Sequence, residues 1–248
     1  MNILGIIPAR YASTRFPAKP LALIEGISMI QRVYQQALKS HALNRVIVAT
    51  DHDAIFTHVK SFGGNVMMTA ETHISGTDRC CEVLNSQSEI FDFVVNIQGD
   101  EPFIAPEQIN LLATTLTPQT ELATLIKKIE QADTLANPNI VKVVIDSGMH
   151  ALYFSRSPIP YIRNVSSHWH QHHTFYKHIG MYAYRTDILR KITVLAPSVL
   201  EKAESLEQLR WLENGYKIVT AITDFETMGI DTPEDLREAE VLLRTKQL

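Results

Sequence analysis

Short apolar runs alternate with amphipathic stretches along the first hundred residues of the chain. The apolar runs predict strands over 3–7, 46–50, 66–68 and 93–97. Helical spacing of apolar residues predicts helices over 29–39, 54–62 and 78–85, with Ser28, Asp53 and Thr77 as their N-caps. Buried strands that alternate with helices of about ten residues indicate a parallel, doubly wound sheet. We therefore predict an α/β fold with a Rossmann-like nucleotide-binding half.

The pattern changes after residue 100, where strand-like segments follow one another with fewer helices between them. A helix is predicted over 105–115, and strands over 123–129, 141–145, 151–155 and 178–185. Two further helices are predicted over 205–214, closed by Gly215, and over 232–244, with Thr232 as N-cap and Pro233 at the first helical position. A mixed sheet is expected in this part. No linker or repeat interrupts the chain, so we predict one domain over 1–248.

Composition excludes several classes of protein. The 248 residues carry a formal net charge of −4, which leaves no basic surplus for a nucleic acid polymer. No apolar run approaches the roughly 18 residues of a membrane span, and no basic segment precedes the first apolar run as in a secretory signal. The two cysteines, Cys80 and Cys81, are adjacent in a predicted helix and are expected to be buried, as suits a reducing cytoplasm.

The loop over residues 8–21 follows the first strand and concentrates positive charge. It carries the cations Arg10, Arg15 and Lys19 and the hydroxyls Ser13 and Thr14. Three prolines restrict its backbone. Ligands of open α/β sheets bind at the carboxyl ends of the strands, and guanidinium groups held there suit a phosphate-rich anion. We interpret the loop as a triphosphate site; the alternative is a solvated basic turn.

Two acidic motifs could supply a metal site. Asp100 follows Gly99 at the end of the strand predicted over 93–97, and Asp231 precedes the cap of the last helix without being needed by it. Mg²⁺ takes one or two carboxylates together with substrate phosphates, so these two aspartates are candidate ligands. The alternatives are an acidic turn and an ordinary capped helix.

Three other groups have weaker signals. Residues 75–79, with Thr77 as cap, could offer a polar-ligand site at a helix start, or be an ordinary cap. His168, His170, His172 and His173 match no usual zinc spacing, which favours a polar surface loop. Glu207 and Gln208 lie off the apolar face of their helix and could bind sugar hydroxyls, or be solvated.

Eight stretches spread over nearly the whole chain give a resemblance to one family. They cover residues 7–21, 48–51, 75–79, 96–102, 151–156, 177–185, 206–210 and 229–236. In these stretches the chain resembles the 3-deoxy-D-manno-octulosonate (Kdo) cytidylyltransferases, the CMP-Kdo synthetases. The resemblance implies a Rossmann-like nucleotidyltransferase fold with a mostly parallel central sheet flanked by helices, and a β-rich dimerisation lobe within about 120–190.

The same resemblance implies an activity and its residues. CMP would pass from CTP to the anomeric hydroxyl of Kdo, releasing pyrophosphate, in a Mg²⁺-dependent cytoplasmic homodimer that serves lipopolysaccharide assembly. Arg10, Ser13, Arg15 and Lys19 would hold the triphosphate, and Ser75, Thr77 and Arg79 would approach the cytidine. Asp100 and Asp231 would bind Mg²⁺, and Lys19, Arg15 and Asp100 would be catalytic. The sugar pocket would contain Gln98, His178, Tyr184, Glu207 and Gln208.

Two alternatives stay open at this point. The acceptor could be another acidic sugar, such as 8-amino-Kdo or a sialic acid, because one or two side chains can read a single substituent. The chain could also be a non-catalytic nucleotide-binding protein, which would not need both Asp100 and Asp231. No side chain stands out as a general base, so we expect metal activation of the sugar hydroxyl.

Overall fold

The structure is a computed structural model that describes residues 1–12, 16–226 and 228–245. Its strands are β1 (Ile3–Ala9), β2 (Leu23–Ile24), β3 (Ile27–Ser28), β4 (Arg45–Thr50), β5 (Val66–Met68), β6 (Phe93–Asn96), β7 (Leu122–Ile129), β8 (Lys142–Ile145), β9 (Ala151–Ser155), β10 (Phe175–Arg185) and β11 (Ile218–Ile222). Its helices are α1 (Met29–Leu38), α2 (Asp53–Ser61), α3 (Gly76–Asn85), α4 (Pro106–Thr114), α5 (Ala132–Ala136), α6 (Trp169–His172), α7 (Thr186–Ile192), α8 (Val199–Glu204), α9 (Gln208–Glu213) and α10 (Pro233–Arg244). A 3₁₀ turn covers Lys19–Leu21.

The chain divides into two compact units. The first comprises Met1–Asn110 with the described residues of Thr227–Leu248, and the second comprises Leu111–Glu226. The predicted α/β fold is confirmed. The prediction of one domain over 1–248 concerns independent folding and stays a prediction.

The first unit is built on a parallel sheet in the order β6-β1-β4-β5. The central strand β1 is apolar throughout, and Leu4, Ile6 and Ile7 have no exposed surface. A parallel strand that is covered on both faces needs such a continuous apolar run. Helices α1, α2 and α3 pack on β1 and β4. Four of the predicted strands therefore appear, in the predicted parallel arrangement.

The second unit contains a mixed sheet. Strand β7 pairs antiparallel with β10 and parallel with β11, while β8 pairs antiparallel with both β10 and β9. The register of β10 against β7 shifts between Ile179 and Tyr182, which marks a bulge. The mixed, β-rich character expected after residue 100 is confirmed. The role of residues 120–190 in dimerisation stays a prediction.

Two helices have N-cap residues other than the predicted ones. His52, not Asp53, caps α2. Ser75, not Thr77, caps α3, and with Asp78 it forms a capping box. The caps Ser28 and Thr232 are confirmed.

The helix predicted over 205–214 starts later, as α9, and a separate helix, α8, ends at Glu204 before it. Between them Ser205, the C-cap of α8, has a left-handed φ of 53°. Strands β2, β3 and β11 and helices α5, α6, α7 and α8 were not predicted. Cys80 and Cys81 are both buried, as expected, and are not joined by a disulfide bond. None of the helices within the described residues has the length and apolarity that crossing a membrane requires.

Candidate active site

A cavity of about 620 Å³ opens in the first unit where β1 and β6 end. The polar side chains around it include Arg10, Lys19, Ser75, Gln98, Asp100 and Asp231. This is the carboxyl edge of the parallel sheet, where the strand ends meet. The structure thus brings together six of the predicted site residues.

Lys19 lies between the two candidate metal ligands. Its Nζ donates to Asp100 Oδ2 at 2.7 Å and to Asp231 Oδ1 at 3.1 Å. The Lys19 side chain is 14% exposed, against 32% for Asp100 and 48% for Asp231. One cation is therefore held by two carboxylates, one from the loop after β6 and one from the segment just before α10.

Packing explains how Asp231 reaches this edge. Its neighbour Ile230 is fully buried in an apolar cluster with Ile24, Met29 and Ala239. The Ile230 amide also donates to the Asp100 carbonyl at 2.9 Å. These contacts fix the segment before α10 against the loop after β6. Asp231 therefore lies at the cavity because of this packing, and not only because it precedes the cap Thr232.

Gly99 is required by close packing at the base of the cavity. A Cβ atom at this position would lie 2.6 Å from the carbonyl oxygen of Pro8. In the sequence Gly99 stands at the end of a predicted strand, directly before Asp100. The structure adds that the loop after β6 touches the backbone at the end of β1, which a side chain would prevent.

Glu101 has a perturbed carboxyl group beside Asp100. Burial, together with the negative charge of Asp100, raises the pKa of Glu101 to about 8. Among the described residues its Oε2 atom has no hydrogen-bond partner. Glu101 is therefore mainly protonated at neutral pH. Nothing in the sequence predicts the raised pKa of Glu101, because Asp and Glu are equally expected in an acidic turn.

The loop before Lys19 is described only in part. Ser13 and Arg15, both predicted to hold the triphosphate, lie outside the described residues, as does Thr14. Arg10 is exposed, and its Nη2 donates to the His73 carbonyl at 2.9 Å. Arg10 and Lys19 therefore supply the described positive charge of this loop at the cavity.

The three residues predicted to approach the cytidine differ in their surroundings. Ser75 lines the cavity while its hydroxyl accepts from the Asp78 amide at 3.1 Å. Thr77 is 2% exposed in the first turn of α3. Arg79 has no exposed surface; it donates to Asp51 Oδ2 at 2.6 Å and also to Thr69. Arg79 thus anchors α3 to the segments after β4 and β5, and its contact with cytidine stays a prediction.

In the second unit, His178 and Tyr184 lie on β10. His178 Nε2 is 3.0 Å from Thr124 Oγ1, and burial lowers the pKa of His178 to about 3. Tyr184 has no exposed surface and packs edge-on against Trp211. His178 is therefore neutral near pH 7. Thr124, its partner on β7, was missed by the sequence analysis because nothing in its local pattern distinguishes it.

Glu207 and Gln208 mark the start of α9. Glu207 is partly exposed, whereas Gln208 is 5% exposed. The proposal that both are solvated is therefore wrong for Gln208, which is buried beside Leu209. Their roles toward a sugar stay predictions.

The histidine group is arranged around a short helix. His170 and His172 belong to α6, and His168 and His173 flank it. Within the described ranges, no cluster of three or more His, Cys, Asp or Glu side chains is placed to hold a metal ion. These histidines therefore give no support to a zinc site.

Known proteins similar to this chain share one description. Residues 4–218 match the family model described as cytidylyltransferase. A 3-deoxy-manno-octulosonate cytidylyltransferase of Cytophaga hutchinsonii is 59% identical over 238 residues, covering 95% of each chain. The protein with the same description in Bacteroides thetaiotaomicron is 55% identical, covering 99% of this chain and all of its own.

Two solved structures are also similar to this chain. A CMP:2-keto-3-deoxy-manno-octonic acid synthetase complexed with CTP is 42% identical, with a TM-score of 0.92 over 99% of this chain and 100% of its own. A 4-diphosphocytidyl-2C-methyl-D-erythritol synthase of Anaerococcus prevotii, 14% identical, has a TM-score of 0.65 over 98% of each chain. The second likeness concerns the fold alone. The nucleotidyltransferase fold expected from the resemblance is thereby confirmed.

Proposed function

This chain belongs to the 3-deoxy-manno-octulosonate cytidylyltransferases, and we propose that it transfers CMP from CTP to the anomeric hydroxyl of Kdo, releasing pyrophosphate. The observation that carries the proposal is the group formed by Lys19, Asp100 and Asp231 at the edge of the parallel sheet. Its charges suit a triphosphate together with a metal cation. In this proposal the product, an activated acidic sugar, serves lipopolysaccharide assembly.

The residues present fit Mg²⁺. Asp100 and Asp231 offer carboxylate oxygens to one shared cation, which in this structure is the Lys19 ammonium. Hard oxygen donors in this number match a Mg²⁺ ion that completes its shell with phosphates and water. When bound, the ion would offset phosphate charge and lower the pKa of the sugar hydroxyl. Asp100 and Asp231 would hold it.

The reaction is an in-line displacement at the α-phosphorus. A bond forms between the anomeric oxygen of Kdo and this phosphorus, and the bond to the oxygen bridging the α- and β-phosphates breaks. Pyrophosphate leaves with the electron pair, and the hydroxyl proton passes to solvent. Lys19 and Arg10 stabilise the negative charge of the triphosphate and the leaving group. Arg15 and Ser13 are assigned to the same task from the resemblance.

Gln98, His178, Tyr184, Glu207 and Gln208 are assigned to the sugar from the resemblance. His178 is a poor general base near neutral pH because its pKa is about 3. It would act as a neutral hydrogen-bonding group. This supports metal activation of the hydroxyl over proton abstraction by an imidazole.

We also propose that the chain forms a homodimer through residues of the segment 120–190. Large apolar side chains are exposed there, with Leu152 at 59% and Tyr161 at 73%. Such groups gain from being covered by a partner. Light scattering coupled to size-exclusion chromatography would give twice the chain mass, and Leu152→Glu would reduce it to one chain; a monomeric wild-type protein would refute the proposal.

Pyrophosphate release tests the activity directly. Purified protein is mixed with CTP, Mg²⁺ and one of three sugars: Kdo, 8-amino-Kdo or a sialic acid. We expect the highest kcat/KM with Kdo, and no turnover without a divalent cation. Preference for another sugar would replace the acceptor in our proposal. Binding of CTP without pyrophosphate release from any of the three would favour a non-catalytic nucleotide-binding protein.

A further inference from the structure

The segment from Thr69 to Ser75 connects β5 to α3 and forms one wall of the cavity through Ile74 and Ser75. Side chains of α3 hold it at several points. Asp78 accepts from the Ser75 amide at 3.2 Å, Arg79 donates to the Thr69 hydroxyl, and Glu82 accepts from the Ala70 amide at 2.9 Å. Positions 78, 79 and 82 share one helical face, so a single polar stripe of α3 fixes this segment.

Glu82 contacts this segment at two points. Its Oε2 atom accepts from the Ala70 amide and also bonds Nε2 of His73. Burial by itself would raise the pKa of Glu82, but the hydrogen bonds from Ala70 and His73 outweigh this and lower it. Glu82 is therefore an anion that holds both the start and the middle of the segment.

His73 links Glu82 to Arg10, which is predicted to bind the triphosphate. Its backbone carbonyl accepts from Arg10 Nη2 at 2.9 Å, while its ring is held by Glu82. Arg10 is otherwise an exposed side chain at the edge of the cavity. An arginine that is already oriented loses less conformational freedom when it binds an anion.

We propose that Glu82 is a positioning residue for nucleotide binding: through His73 it orients the guanidinium of Arg10 toward the triphosphate. This inference rests on the proposed function, in which Arg10 binds CTP. Glu82 itself touches no substrate. Because Arg10 would meet the triphosphate in the bound and the transition state alike, loss of Glu82 should weaken CTP binding more than it slows turnover.

The test measures CTP binding and turnover separately. Calorimetric titration with CTP and Mg²⁺, without sugar, gives Kd; initial rates with Kdo give kcat and KM. We expect Glu82→Ala to raise Kd and KM for CTP about tenfold while kcat stays within about twofold. His73→Ala, which cuts the same link at its other end, should do the same. Glu82→Gln keeps an oxygen for Ala70 and His73 and should recover most of the affinity.

A double-mutant cycle separates positioning from general damage. If Glu82 acts through Arg10, adding Glu82→Ala to Arg10→Ala should weaken CTP binding by less than about twofold. Glu71→Ala, which removes an exposed carboxylate of the same segment, is the matched control and should bind CTP as wild type.

Two results would overturn the inference. One is a Kd for CTP that is unchanged in both Glu82→Ala and His73→Ala. The other is a loss of affinity from Glu82→Ala that multiplies fully with that of Arg10→Ala. If the wild-type protein itself does not bind CTP, the proposed function fails instead, and the two failures are thereby distinguished.

Discussion

The two units of this molecule present functional side chains in contrasting environments. In the first unit, Lys19, Asp100 and Asp231 form ion pairs at the edge of a parallel sheet. In the second, His178 and Tyr184 lie on a strand, where burial keeps the imidazole of His178 neutral. The first environment suits an anion and a metal, and the second supplies neutral hydrogen-bonding groups that suit the hydroxyls of a sugar.

This contrast shows where a fold can place charged groups and where it can place neutral hydrogen-bonding groups. Charges need solvent or opposite charges around them, so they are placed where strands end and loops begin. Hydrogen-bonding groups that read a sugar work best where water is excluded and their partners are fixed, as Thr124 fixes His178. The predictions below separate the two environments.

Asp100→Asn should have the largest effect, because it removes one of the two carboxylates proposed to hold Mg²⁺. We expect kcat to fall at least a hundredfold, a cost of about 2.7 kcal/mol or more, at any Mg²⁺ concentration, while CTP binding partly survives. Asp53→Asn, at an exposed position of α2, is the control. A variant that keeps more than a tenth of the wild-type rate would remove Asp100 from the catalytic group.

Lys19→Ala should come next in size. It removes the ammonium group that faces Asp100 and Asp231 and that is proposed to stabilise the departing pyrophosphate. We expect kcat/KM for CTP to fall about thirtyfold, or about 2 kcal/mol. The KM for Kdo should stay within about twofold, since the sugar is assigned mainly to the second unit. Lys60→Ala, on the exposed side of α2, is the control, and unchanged kinetics in Lys19→Ala would exclude Lys19 from the site.

Gly99→Ala tests the first unit through its packing. The added methyl group would meet the Pro8 carbonyl oxygen at 2.6 Å, so the backbone must shift. We expect the free energy of unfolding to fall by about 2 kcal/mol in chemical denaturation. Gly229→Ala is the matched control, because a Cβ there meets nothing within 4 Å among the described residues. Equal stability of the two variants would show that the contact at Gly99 can relax.

The sequence was most informative about the first unit. Apolar runs predicted β1, β4, β5 and β6 within two residues at each end, because buried parallel strands have a continuous apolar pattern. The charged loop was recognisable because it followed the first of these strands. Helix caps were predicted less well: Ser75 and Thr77 are both good caps, and only the capping box with Asp78 decides between them.

The second unit could be predicted only in outline. The strand predicted from residue 178 starts at Phe175. The helix predicted from residue 205 starts at Gln208, because Ser205 has a left-handed backbone that no local pattern marks. Only Tyr184 was found through the family resemblance alone, whereas Glu207 and Gln208 were also candidates from their place in a predicted helix. Nothing in periodicity or spacing reveals that His178 meets Thr124, because that contact depends on the pairing of β10 with β7.

The pH dependence of stability gives the smallest expected effect and tests the second unit. The pKa of His178 in the folded protein, about 3, lies below its usual value, so between pH 6.5 and 3 the unfolded chain binds a proton that the folded protein does not. Stability contributed by this histidine is therefore complete above about pH 6.5 and is lost as the pH falls. From pH 7.5 to 5.5 the expected loss is about 1 kcal/mol.

His178→Gln should remove this part of the acid sensitivity, while the other titrating groups are common to both proteins. Urea denaturation at pH 7.5 and 5.5 measures the difference, and His172→Gln, at an exposed position of α6, should behave as wild type. If His178→Gln loses as much stability on acidification as wild type does, the imidazole is not held neutral by burial. The contrast between a charged first unit and a neutral second unit would then need a different cause.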